Sequence, residues 1–263
     1  MITRRNFLAN TLKGLTALSL PLGALEIVNP EKLKADIFQK DFIQKRWVFL
    51  VDVNKCVGCG MCVKACKLEN DVPFDANVTR TWVERYVITN DGKVHADSPK
   101  GARNGFTSQA IELGEGHTFT PKPNEIDKAF FVPKLCNHCE NPACVQVCPV
   151  GATYQTDDGV VLIDRKWCIG CGYCIMGCPY GVRFFHPVTL TADKCTFCYH
   201  RISKGLQPAC VEACSFGARH IGNIKQPNDP VARIIKTQKV HVLKEEFGTQ
   251  PQVYYLGHSL EVR

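Results

Sequence analysis

The twelve residues CIGCGYCIMGCP, Cys168 to Pro179, place four thiols at intervals of three, three and four. This spacing wraps a tight loop around one centre, so that Cys168, Cys171 and Cys174 converge while Cys178, on the helix expected to follow, faces elsewhere. In proteins that hold two cubane clusters, that fourth cysteine ligates the other cluster. The stretch therefore reads as half of a reciprocal pair, and its partner must lie elsewhere in the chain.

The 263 residues contain 16 cysteines, and all of them fall into four groups of four. Group one is Cys56, Cys59, Cys62 and Cys66; group two is Cys136, Cys139, Cys144 and Cys148. Group three is Cys168, Cys171, Cys174 and Cys178; group four is Cys195, Cys198, Cys210 and Cys214. Groups one and three share C-x2-C-x2-C-x3-C, whereas groups two and four open the middle interval to C-x4-C and C-x11-C. Zinc sites usually join two C-x2-C knuckles through a longer spacer, and disulfide scaffolds are smaller and denser in cysteine. Three groups that each gather all four thiols within 13 residues favour iron-sulfur ligation over both.

Groups two and three both end in Cys-Pro, with 19 residues between Cys148 and Cys168, and read as one compact unit. Groups one and four are then left to exchange fourth ligands. The expected sets are Cys56, Cys59, Cys62 with Cys214; Cys136, Cys139, Cys144 with Cys178; Cys168, Cys171, Cys174 with Cys148; and Cys195, Cys198, Cys210 with Cys66. The fold class is α+β: two interleaved ferredoxin-like two-cluster units, the inner inserted into the outer. The inner unit spans 129–189, the outer 47–128 and 190–224 with a polar insertion at 67–128, and 225–263 form an extension packing on a partner or on the core.

Short apolar strands precede three groups: WVFLVDV from Trp47, AFFV from Ala129, and VVLID from Val160 after a TDDG turn. After three of the fourth cysteines comes a similar phrase, PVGATY, PYGVRF or SFGARH, in which glycine permits a turn into a second short strand. The insertion after group one is either a cover over the cluster face, a partner contact, or a solvent loop with a hairpin.

Residues 1–28 are set aside as targeting sequence. Thr3-Arg4-Arg5-Asn6-Phe7-Leu8 is a twin-arginine motif, and the apolar run Gly14 to Leu25 is 12 residues, short of the roughly 20 that span a bilayer. The segment is a signal, with Ala17-Leu18-Ser19 as the best cleavage site, or a retained N-terminal anchor; 29–46 form a linker. Export in the folded state would commit the thiols to metal before they met an oxidising compartment. The expected location is the periplasm or the outer face of the cytoplasmic membrane.

The four groups, with CNHCENPACVQVCPVGA, CIGCGYCIMGCPYG and KCTFCYHRISKGLQPACVEACSFGA, resemble the iron-sulfur (beta) subunits of the dimethyl sulfoxide reductase family from about Val48 to Gly222. The tail VLKEEFGTQPQVYYLG is similar to the ends of several members. No cysteine position is missing, so the resemblance implies four 4Fe-4S clusters. It also implies a non-catalytic subunit conducting electrons between a quinone-linked membrane subunit and a catalytic subunit, commonly a molybdopterin enzyme, or a multihaem cytochrome. The alternative is a freestanding polyferredoxin shuttle. No Walker loop, dinucleotide fingerprint or nucleophile elbow occurs in the chain.

The formal charge is +7, and without residues 1–28 it falls to +5. Each oxidised cluster with its thiolates carries about 2−, so four bring the loaded chain near neutrality and remove the basis for a nucleic-acid reading. Lys55, Lys134, Lys166 and Lys194 stand one or two residues before each group and are either tuning charges or ordinary surface lysines. His138 and His200 lie beside thiols but are not expected as ligands, because each group already has four.

Overall fold

Trp47–Asp52 (β1) is an unbroken apolar run buried on both faces, the pattern of a central strand. It pairs antiparallel with Arg219–Asn223 (β9) and parallel with Val253–Leu256 (β11), placing Phe49 between Ile221 and Val253. A short strand at Val240–His241 (β10) completes a sheet of order β10-β11-β1-β9. The strand before group one and the strand after group four are therefore direct neighbours. The computed structural model describes residues 45–106, 122–257 and 262; the twin-arginine segment and most of the linker lie outside them.

The side chain of Asp52 accepts from the Asn54 amide and turns the chain into group one, which leads into Met61–Glu69 (α1). Gly60 starts this helix at φ 73°, a left-handed conformation that glycine adopts without steric cost. The insertion then forms a second sheet: Thr81–Thr89 (β2) lies between Val94–Asp97 (β3) and Ile126–Leu135 (β4), all antiparallel. Arg85 and Asp97 form a cross-strand ion pair at 2.7 Å. The strand ahead of group two, β4, thus pairs along its length with the insertion.

Two small hairpins follow. Thr153–Gln155 (β5) pairs with Val161–Ile163 (β6) across the TDDG turn, and Phe184–Phe185 (β7) pairs with Ala192–Asp193 (β8). Single-turn helices occur at Ala143–Gln146 (α2), Tyr173–Met176 (α3), Tyr199–Ile202 (α4) and Ala209–Glu212 (α5). Pro230–Thr237 (α6) is capped by Asp229, which accepts from the amides of Val231 and Ala232. Its Val231 joins Val48 and Leu50 on one face of the main sheet. On the other face, Phe49, Val51 and Tyr255 pack with Val63, Val83, Val132, Leu135 and Phe197 in a core shared by both sheets and the cysteine loops.

Candidate metal centres

The repeated loops solve one backbone problem in two ways. In groups one and three the residues after the first and second turns are glycines with positive φ: Gly58 and Gly60, Gly170 and Gly172. In groups two and four the place of Gly58 is taken by His138 (φ 42°) and Phe197 (φ 52°), left-handed without being glycine. Their rings lie against each other with centroids 3.7 Å apart, and Phe197 stacks further on Phe49 at 5.6 Å. Interior loops thus spend backbone strain to fill a boundary with side chains.

Three cavities are walled by thiols. Cys56, Cys59, Cys62 and Cys214 line one, Cys136, Cys139, Cys144 and Cys178 a second, and Cys66, Cys195, Cys198 and Cys210 a third. In each, one thiol comes from a different group. The helix α1, which carries Cys62 and Cys66, packs on α5, which starts beside Cys210 and leads to Cys214. The thiols stand around each cavity rather than meeting at a point: among the described residues no three Cys, His, Asp or Glu groups come together as ligands of a single ion would.

For the remaining cysteines the placement is by elements. Helix α2, just before Cys148, packs on α3, which carries Cys174, and Val147 lies over Gly177. Burial raises the Cys148 thiol, but the amides of Thr153, Val150 and Ala152 aimed at its sulfur outweigh this and hold it below its ordinary value. Cys59 and Cys171 are exposed, whereas all four thiols of the third cavity are buried.

The electrostatics suit an anionic group. Each of the three cavities has a cation in its wall and no carboxylate. Burial pushes the metal-free Cys56 thiol up to about 11, and Cys139 and Cys210 up to about 12. Burial, then the neighbouring Cys195, Cys210 and Cys198, drive Cys66 well above its ordinary range. Four sulfur donors around a carboxylate-free, cation-walled space fit an iron-sulfur cluster, whose thiolates and inorganic sulfide would supply the missing negative charge.

The four lysines flanking the groups divide. Lys55 pairs with Asp52 at 3.5 Å and is half exposed, and Lys166 is exposed. Lys134 is buried but paired with Glu84 at 2.7 Å. Lys194 is fully buried and donates to the carbonyls of Val161 and Cys195. His138 lines the second cavity and accepts from the Val161 amide through Nδ1 at 3.0 Å, and His200 contacts Glu69 at 2.6 Å.

Sequence reasoning passed over Arg183 and Arg219. Arg183 donates to the Cys144 sulfur at 2.9 Å and to Thr153 Oγ1 at 3.3 Å. Arg219, 1% exposed, donates to Thr81 Oγ1 at 3.0 Å and lies beside Cys62 and Cys210. Both follow the turn glycine by two residues, in PYGVRF and SFGARH, and Thr153 occupies the same place in PVGATY. Aligning the three phrases was the available signal.

Models of the 4Fe-4S dicluster domain match residues 55–152 and 127–224. The chain is 42% identical over 214 residues to a tetrathionate reductase B protein of Salmonella typhimurium, covering 81% of this chain and 72% of that protein. It is 46% identical over 212 residues to the corresponding tetrathionate reductase protein of Archaeoglobus fulgidus, covering 81% and 82%. To the NrfC homolog of Haemophilus influenzae it is 35% identical over 256 residues, 97% of this chain and 94% of that one.

Proposed function

This chain belongs to the iron-sulfur (beta) subunits of the dimethyl sulfoxide reductase family, and from that premise we propose that its cysteines hold four 4Fe-4S clusters in two interleaved two-cluster units. It is a non-catalytic electron-transfer subunit carrying several iron-sulfur clusters. The observation that carries the assignment is the company kept by Cys214 and Cys66: each lines a cavity with three thiols of the other's group.

The ligand sets are then Cys56, Cys59, Cys62 with Cys214; Cys195, Cys198, Cys210 with Cys66; Cys136, Cys139, Cys144 with Cys178; and Cys168, Cys171, Cys174 with Cys148. Packing of α2 on α3 supports the last. Each cluster, when bound, takes up and releases one electron. The chain's own residues hold the thiols, exclude water from the set of Cys66, Cys195, Cys198 and Cys210, and line the cavities with cations. Exposure of Cys59 and Cys171 supports electron entry and exit at groups one and three.

The partners we assign are a molybdopterin-dependent catalytic subunit and a quinone-linked membrane subunit, with export by the twin-arginine route to the periplasmic side. Relatives described as subunits of tetrathionate, selenate and chlorate reductases support this. The test is the ratio of molybdenum or tungsten to iron in the complex gently solubilised from its native membrane under anaerobic conditions. Stoichiometric metal is the expected result. Iron without molybdenum or tungsten would point instead to a cytochrome partner or a free shuttle.

A further inference from the structure

Four buried cations form no ion pair with a carboxylate among the described residues: Lys67, whose ammonium is held by the carbonyls of Pro73, Ala76 and Val78, and Arg219, Lys194 and Arg183, each of which lies near two thiol sets. Arg219 lines the cavity of Cys56, Cys59, Cys62 and Cys214 and lies near Cys210 of the third cavity as well. Lys194 bridges the second and third cavities, donating to the carbonyl of Val161, which lines the one, and to that of Cys195, which lines the other. Arg183 touches Cys144 and lies beside Cys174. Their exposures are 1%, 0% and 4%. Two other buried cations near thiols are compensated: Arg80 by Asp193, and Lys134 by Glu84. A fully buried, uncompensated charge is among the costliest features a fold can carry unless an opposite charge accompanies it.

We propose that Arg219, Lys194 and Arg183 are electrostatic junction residues, one at each boundary between successive clusters, each making the two clusters it separates easier to reduce. The sequence of sets is then group one, Arg219, group four, Lys194, group two, Arg183, group three. Reduction adds one negative charge to a cluster, and a fixed cation nearby in a low-dielectric interior favours the more negative form. It also offsets repulsion between neighbouring reduced clusters, which otherwise makes each electron on the wire an obstacle to the next. Lys194 has a further distinction: it sits beside the His138–Phe197 ring contact, where the inner unit meets the outer. These are positioning residues for charge, not ligands.

The inference rests on the four-cluster reading, so the experiment separates them. Iron, acid-labile sulfide and EPR signals of the wild-type complex are measured first; absence of clusters there overturns the function itself. Lys194→Gln, Arg183→Gln and Arg219→Gln are then titrated potentiometrically, following each cluster's EPR signal. Lys194→Gln is expected to make the group-two and group-four clusters at least about tenfold harder to reduce, about 59 mV for one electron, with smaller changes at groups one and three. Arg183→Gln should shift the group-two and group-three pair instead. Lys194→Arg and Arg183→Lys, which keep the charge, should stay near wild type. Fully loaded glutamine variants with unshifted potentials, or with equal shifts in all four clusters, overturn the proposal. If the glutamine variants lose iron, recovery in the charge-keeping variants supports it; loss in both kinds shows a packing role and overturns it.

Discussion

Arg80 and Asp193 face each other at 2.9 Å with almost no solvent exposure on either side chain, joining the start of the insertion's sheet to the residue two positions before Cys195. Arg80 also donates to Asn70 Oδ1 at 2.6 Å, and the Asn70 amide reaches the Cys66 sulfur at 3.6 Å and the Cys198 sulfur at 3.9 Å. One ion pair thus holds a hydrogen-bond donor against two thiols of one cavity. Removing Asp193 leaves the buried Arg80 charge uncompensated, which costs about 3–5 kcal/mol, whereas removing Arg80 leaves Asp193 still paired with Arg165 at 3.4 Å. Asp193→Asn should lower denaturant stability by that order, and Arg80→Met by less. The double variant should lose less than the sum, and a strictly additive double would show that the two side chains do not interact.

Exchange of fourth ligands gives a sharper test. Cys214→Ser is expected to alter the cluster held by Cys56, Cys59 and Cys62, and Cys66→Ser the one held by Cys195, Cys198 and Cys210. Iron content with Mössbauer or EPR spectra of the two variants would read this directly. If Cys214→Ser instead perturbs the group-four signal, the units are not interleaved.

The insertion packs closely on group one. The amide of Phe106 donates to the Gly58 carbonyl, and a methyl group at Gly60 would meet the Ala102 carbonyl and come within 2.6 Å of the Gly105 amide. Nothing flexible can give way there. Gly60→Ala also forces a left-handed residue, at about 1–2 kcal/mol before any clash. The variant should destabilise the chain and leave the group-one cluster more readily oxidised or chelated. A cluster as durable as wild type would mean that the insertion does not shield it.

Loading with iron should release thiol protons. In the metal-free chain burial holds Cys56 near 11 and Cys139 and Cys210 near 12, above the ordinary thiol range of about 8.5. Those groups remain protonated at neutral pH, while ligation requires the thiolate. Anaerobic reconstitution with ferrous iron and sulfide should therefore release protons, and loading should become more favourable from pH 7 to 9. A pH-stat trace without release, or loading that improves on acidification, would contradict this.

Much of this architecture was open to reading because ligand spacing is local. The runs at Trp47, Ala129 and Val160 lie where the structure has β1, β4 and β6, and the turn glycines 151, 181 and 217 each precede a short strand. What depends on distant pairing was not readable. Nothing near Val253 announces a parallel partner at Phe49, and nothing in AFFV says that β4 will join the insertion. The unpaired cations were missed for a related reason. Lys194 looks like the other three flanking lysines until burial sets it apart from Lys55 and Lys166 and the Glu84 ion pair sets Lys134 apart from it, and Arg183 and Arg219 carry meaning only when the repeats are laid side by side.

The nesting of the thiol sets has a temporal side. A chain leaving the ribosome releases groups two and three together, so residues needed for the inner sets are all present while the C-terminal quarter is still being made. The outer sets cannot close then: Cys62 must wait for Cys214, and β1 acquires its second neighbour only when β11 has been synthesised. Completion of the main sheet is thus tied to synthesis of Val253–Leu256, about 200 residues after β1, and long-range closure of this kind is slow compared with local folding. A chain cut short before Val253 would carry all its thiols yet offer the cell β1 as an unpaired edge, a feature by which an unfinished molecule can be told from a finished one.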